Sequence, residues 1–191
     1  MKFIFILACF LVALGSFFIC KNKRDWFLLS LALGFTLVAD FFLILHDWHL
    51  PGVAVFCFAH IAYIMRAISQ GQESNRQITA FAMPGVFVVI AIGLALIRVD
   101  AIFVVSGLYA VLFISNIIVS TRYLQHNRRL VITGLLLFLA CDVCVLIFNL
   151  PVYFDAPGWL TGVFPLIWVF YLPSQVLLSI SGVDFSRFKR D

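Results

Sequence analysis

Seven stretches of the chain stay apolar over about the 20 residues that a helix needs to cross a ~30 Å hydrocarbon core. They run over 3–20, 26–46, 52–70, 78–98, 101–121, 130–150 and 159–181. Short polar connectors separate them: KNKRD, HDWHLP, QGQESNRQ, RVD, RYLQHNRR and PVYFDAPG. The pattern predicts an all-α fold, a polytopic transmembrane bundle of about seven helices that makes one domain over 1–191. The break between the fourth and fifth spans rests on Arg98 and Asp100 alone. Trp26, Trp48, Tyr123, Tyr153 and Trp159 fall near span ends, where amphipathic rings favour the membrane interface.

Composition sharpens this. The chain is 64% hydrophobic and 12% charged, whereas soluble domains carry about 25% charged residues. A soluble fold could not cover so much apolar surface, so an integral membrane protein is expected, in a bacterial cytoplasmic membrane. The net charge of +4 lies in short loops and is no footprint for nucleic acid. Eleven of the thirteen basic residues fall on one side, around the loops that follow spans one, three, five and seven, with Arg66 and Arg76 bracketing the third. Only Lys2 and Arg98 remain for the other. The positive-inside rule then puts the N-terminus outside and the C-terminus in the cytoplasm. Lys2, the apolar run after it and the small residues at 13–16 also resemble a secretory signal. Cleavage there would export Lys21, Lys23 and Arg24 against the charge bias, so the segment is expected to stay as a span.

Against this background three residues stand out. Asp40 lies in LALGFTLVADFFLIL, Asp142 in GLLLFLACDVCVLIF and His60 in GVAVFCFAHIAYIM. An Asp at the centre of a spanning helix costs roughly 2.5–3.5 kcal/mol on insertion scales, so such residues usually face inward and serve function. With a rise of 1.5 Å per residue, Asp40 lies about 9 Å below the outer end of its span, and His60, Tyr109 and Asp142 about 13 Å below theirs. Tyr63 and Tyr171 come in at about 18 Å by the same rise. Helical spacing groups them further: His60 with Tyr63, Tyr171 with Gln175, and Tyr109 with Asn116 each share a stripe. Spans one and four offer little polar chemistry and read as lipid-facing. A weak internal echo joins the two acids, since the Asp40 run is followed by Pro51-Gly52 and the Asp142 run by Pro157-Gly158.

Each residue also has a plainer reading. A buried Asp can tie one helix to its neighbour, and His60 or any one tyrosine can be a packing residue. Cys141 and Cys144 lie inside a span without a thioredoxin-like context and read as small-residue packing. Cys9, Cys20 and Cys57 are also in spans, and no disulfide framework is expected. His46, Asp47 and His49 cluster in a short interfacial loop. With a single deep histidine, three zinc ligands cannot be assembled, so neither metal nor other cofactor is expected. Span seven has no Lys for a Schiff base, and no G-x-S-x-G or phosphate loop appears.

Together the motifs carry a resemblance. ADFFLIL, then GVAVFCFAHIAYI with Gly52, Phe56, His60 and Tyr63 in register, then LLLFLACDVCVL and the ending FYLPSQVLLSIS, resemble the lysoplasmalogenase-type (YhhN-like) membrane proteins over most of 26–182. Departures are visible too. Ala39 precedes the first Asp where the family often has Gly, and Cys141 precedes the second where Ser is common. Members commonly have eight spans with a Lys-Pro opening the second. Here seven spans are expected, with no counterpart of that first one, and Lys2, the candidate for that Lys, has no Pro after it.

The resemblance implies hydrolysis of the vinyl-ether bond of a lysoplasmalogen, a lysophospholipid-type substrate, to a fatty aldehyde and a glycerophospho head group. That reaction needs a carboxylic acid that keeps its proton at neutral pH, which low dielectric and a neighbouring carboxylate both favour. A second carboxylate can stabilise the cation or deprotonate water, as paired acids do for glycosides. Asp40 and Asp142 are the expected pair, with His60 hydrogen-bonding one of them. Tyr63, Tyr109, Tyr171 and Gln175 are expected to orient head group or water. Two rivals use the same layer: a proton-coupled transporter, and a lipid-binding protein in which the acids are interhelical ties.

Overall fold

A computed structural model describes residues 2–20, 22–71, 85, 88 and 100–185. Among these the chain forms six α-helices and no strand. They are α1 (Lys2–Gly15), α2 (Lys23–Asp40), α3 (His49–Gln70), α4 (Ala101–Tyr123), α5 (Arg128–Tyr153) and α6 (Phe164–Ile180). Among the described residues, five segments are long and apolar enough to cross a membrane: Lys23–Leu45, His49–Gln70, Ala101–Tyr123, Arg128–Tyr153 and Gly158–Ile180. The first expected span is shorter, since α1 and a 3-10 turn after it end at Phe18. The fourth, over 78–98, lies outside the described residues apart from Gly85 and Val88. Large apolar side chains such as Leu11, Phe18, Leu136 and Val169 stand exposed on the outer faces, which suits lipid rather than water.

α2 packs along α3, α3 along α4, and α5 along α6, while α1 lies against α2 and α6. Small residues let these helices approach closely, the usual device where lipid removes the hydrophobic drive between helices. Gly52 on α3 is the tightest case that bears on function. A Cβ there would lie 2.6 Å from Leu43 Cγ and 3.3 Å from the Ala39 carbonyl, so α3 presses on the chain immediately beside Asp40. Gly158, its partner in the internal echo, has nothing within 4 Å. The echo does not extend to this packing.

One end of the bundle is closed by a polar knot. Arg66, 1% exposed, donates from Nε and Nη2 to the two Asp25 carboxylate oxygens at 2.8 and 2.9 Å. Its remaining nitrogen donates to Ser181 Oγ at 2.8 Å, and Gln70 Nε2 donates to Asp25. The Gln70 side-chain oxygen accepts from the backbone of Gln125 and His126 at 3.0 and 2.9 Å. Asn127, in the left-handed region at φ 50°, donates to the carbonyls of Ser181 and Val183. The knot thus ties α2, α3, the α4–α5 connection and the end of α6. The sequence reading counted Arg66 among the loop cations that set orientation. Its charge is instead neutralised inside the protein, because Asp25 lies one helix away at the same level.

Candidate active site

The opposite end holds the carboxylates. α2 ends as an α-helix at Asp40 and continues as a π turn over Phe41–Leu45. π turns are rare and concentrate at functional sites. Asp40 is 4% exposed and accepts a hydrogen bond from the Tyr171 hydroxyl of α6. Asp142, half-buried on α5, accepts from the Tyr109 hydroxyl of α4 at 2.5 Å. Among the described residues no Lys, Arg or His pairs with either.

Both carboxyls, and both tyrosines that hold them, line one cavity of about 560 Å³, within the 300–1,000 Å³ usual for small-molecule sites. Its walls come from α2 with its π turn, α3, α4, α5 and α6, the five spans that carry the expected polar layer. Most of the lining is aliphatic or aromatic. Ile114 on α4 and Val143 and Leu146 on α5 belong to it and are 47%, 47% and 64% exposed, so the wall is open on that side. Trp168, one turn before Tyr171, also lines it, and its ring nitrogen has no partner.

An aromatic floor underlies the carboxyls. The Phe138 ring lies 5.6 Å from Phe56, 5.3 Å from Phe113 and 5.3 Å from Tyr171, centre to centre. His60 is fully buried beneath this floor, stacked on Phe113 at 4.3 Å. Its Nδ1 faces the Asn116 amide at 3.2 Å. Asn116 Nδ2 is a donor, so Nδ1 accepts and the proton of the neutral ring sits on Nε2. Ser120 Oγ fixes the amide by donating to Asn116 Oδ1 at 3.1 Å.

The structure therefore brings together Asp40, Asp142, Tyr109 and Tyr171. It does not bring His60 to either carboxyl by a hydrogen bond, and neither His60, Tyr63 nor Gln175 lines the cavity. Those three lie deeper, with His60 Nε2, the Tyr63 hydroxyl and Gln175 Oε1 buried and without a hydrogen-bond partner among the described residues. The floor phenylalanines are absent from the sequence-based site, yet spacing marks them. Phe56 lies four before His60, Phe113 four after Tyr109, and Phe138 four before Asp142, each pair on one helical face.

With the geometry in view, comparison with known proteins gives one decisive match. The model of the YhhN family matches residues 1–182. The chain belongs to the YhhN family. No curated protein and no solved structure matches it significantly. Family membership and five membrane-length apolar helices together make this YhhN protein an integral membrane protein. All four residues of the tyrosine–carboxyl pairs fall inside the matched region, as do His60 and the aromatic floor.

Proposed function

We propose that this YhhN protein is a membrane hydrolase that cleaves the vinyl-ether bond of lysoplasmalogens by acid catalysis from Asp40 and Asp142. One observation carries the reading. Two carboxyls from different helices line one apolar cavity, each with a phenol donor and, among the described residues, neither with a cation. An uncompensated charge is expensive in such a setting, which favours a carboxyl that keeps its proton. The alkenyl chain lies along the apolar walls with its ether beside the pair.

The protonated carboxyl gives its proton to the β-carbon of the vinyl ether. The double bond supplies the electron pair, and an oxocarbenium ion forms at the carbon bonded to oxygen. The ionised carboxylate stabilises that cation and takes a proton from attacking water, as in the paired-acid logic of glycoside cleavage. The resulting hemiacetal collapses: its hydroxyl proton returns to the first carboxylate, its carbon–oxygen bond to glycerol breaks, and the second carboxyl protonates the departing glycerol oxygen, so that fatty aldehyde and glycerophospho head group leave and both acids are restored. The phenols of Tyr109 and Tyr171 hold each carboxyl in place and need not react. His60 lies beneath the floor and supports its packing and the Asn116 contact.

The deciding experiment incubates the purified protein in neutral detergent with a 1-alkenyl lysophospholipid and measures fatty aldehyde by mass spectrometry. Aldehyde release that persists in chelator and vanishes in Asp40→Asn and Asp142→Asn supports the mechanism. Full activity in both variants removes it. Ester lysophospholipids, which lack a protonatable alkene carbon, should bind without being cleaved.

A second reading, a proton-coupled transporter, draws on the unpartnered polar atoms of His60, Tyr63 and Gln175 beyond the floor. Buried groups of this kind commonly bind internal water, and water could extend a proton path from the carboxyls. Proton flux in liposomes, with no aldehyde released, is the outcome that favours it.

A further inference from the structure

We infer that a single-chain lipid enters the cavity sideways from the bilayer, through a window between α4 and α5, and keeps its chain in that window while its head stays at the rim. The inference rests on the reading of the cavity as a lipid site and names the route by which the lipid reaches it.

The window has a frame. Toward the rim, Phe103 of α4 meets Tyr153 and Phe154 at the end of α5, with ring centres 5.6 and 6.3 Å apart. Toward the knot, Phe113 of α4 meets Phe138 of α5 at 5.3 Å. Phe103 and Phe113 lie about 15 Å apart along their helix. Between these two clasps the Tyr109–Asp142 bond crosses from α4 to α5. Ala110 and Ile114 flank the bond on α4, and Val143 and Leu146 flank it on α5. These side chains line the cavity and are also exposed. Side chains that do both at such exposure border an opening. Asp142, beside that opening, is half-buried, whereas Asp40 is 4% exposed. The window therefore leads to Asp142 first.

Depth says what lies outside. Leu146 and Ile114 sit about 10 and 20 Å from the rim ends of their spans, within a hydrocarbon core of ~30 Å. The window faces acyl chains, not water. Entry through water would strip the chain from the membrane at about 0.8 kcal/mol per CH₂, and entry through the window avoids that cost. The floor decides where the chain goes next. Phe56, Phe113 and Phe138 line the cavity beneath the carboxyls, so a long chain bonded beside Asp142 cannot run on toward the knot. It has to turn out between α4 and α5. The head has a different place. Asn149, on the face of Asp142 and about 10 Å nearer the rim, and His49, at the start of α3, bring polar groups to the lining there.

The test maps the chain and does not depend on catalysis. Full-length protein in phosphatidylcholine vesicles is irradiated with an ester lysophosphatidylethanolamine that carries a diazirine in mid-chain. Adducts are mapped by mass spectrometry with and without excess unlabelled lysophosphatidylethanolamine. Adducts at Ala110, Ile114, Val143 and Leu146 should form and should fall several-fold under competition, while those at Leu11 and Val169 should not change. Ala110→Trp, which fills the window from α4, should reduce the competed adducts to a similar extent, and Leu11→Trp should leave them. The wild-type map decides by itself should Ala110→Trp fail to fold. Window adducts that the competitor leaves unchanged mark ordinary bilayer contact and overturn the inference. So do competed adducts confined to His49 and Tyr153, or a window without adducts, as a covering helix or a second copy would leave it. Competed window adducts in a protein that releases no aldehyde from an alkenyl lysolipid keep the window and sink the hydrolase. Aldehyde release without competed window adducts does the reverse.

Discussion

Asp25 and Asp40 begin and end the same helix, both are buried, and the protein treats them in opposite ways. Asp25 receives three side-chain donors, two from the Arg66 guanidinium and one from Gln70. Its charge is matched and most of its lone pairs are taken. Asp40 receives one phenol, faces a cavity and meets no cation among the described residues. The first arrangement is a finished tie between helices. The second leaves acceptor capacity unused where a ligand can lie, at a cost that packing elsewhere must offset. Burial of an acid therefore does not distinguish structure from chemistry, and the partner set does.

The largest expected effect tests the finished end. Arg66→Met leaves Asp25 charged and bare, which should lower stability by about 3–5 kcal/mol. Combining it with Asp25→Leu should restore much of the loss, because an apolar pair replaces a buried ion pair. Thermal unfolding in detergent reads both. If Arg66→Met unfolds no earlier than wild type, the knot is not a tie.

Next come the carboxyls at the open end. Asp40→Asn and Asp142→Asn should each cut vinyl-ether cleavage by at least the ~10²-fold typical of lost acid–base catalysis, with unfolding temperatures near wild type. A stability loss matching that of Arg66→Met would make Asp40 a second structural tie and end the contrast.

The phenols should matter less. Tyr109→Phe and Tyr171→Phe each remove one hydrogen bond to a carboxyl group, worth roughly 1.5–3 kcal/mol when the acceptor is charged. Turnover should fall about tenfold or somewhat more, and the double variant should fall further. Turnover equal to wild type in both single variants would show that the cavity walls alone hold the acids.

His60→Ala should cost less activity than either Asp variant, since the ring touches neither carboxyl and acts through the floor. A loss as large as that of Asp40→Asn would mean that His60 reaches the carboxyls through water. The smallest effect is on function itself. Single cysteines in 151–158 should label from outside with an impermeant reagent, those in 122–129 should not, and activity should persist in all. The reverse labelling would put the open end toward the cytoplasm.

Much of this contrast is legible in the chain. Apolar runs of spanning length mark the five long helices, and the interruptions Asp40 and Asp142 are conspicuous because nothing polar surrounds them. Tyr109 and Tyr171 follow from depth along their spans, a quantity that a fixed rise makes readable. A shared layer is not a shared cavity, however. His60 lies one turn past Phe56 and Gln175 one turn past Tyr171 on the same helical faces, with Tyr63 a turn beyond His60, and none of the three reaches the cavity. Arg66 looks like an interfacial charge because its partner Asp25 lies 41 residues away. Lys2 gives no local hint that it will rest on the Trp168 and Phe164 rings of the last helix. The π turn is the least visible, for FFLIL has the composition of any spanning helix.

That turn separates two settings that a plain helix would couple. A π turn carries one residue more than the α-helical turn it replaces, so Phe41–Leu45 breaks the α-helical register between Asp40 and the segment that follows. Upstream, Asp40 is positioned by α2 and by its bond to Tyr171. Downstream, the rim at His49 begins wherever the π turn leaves the chain. Deleting one residue there would turn the following segment by about 100° and shorten it by about 1.5 Å, while the acid kept its place. Such a chain could change the shape of its rim without relocating its reactive group.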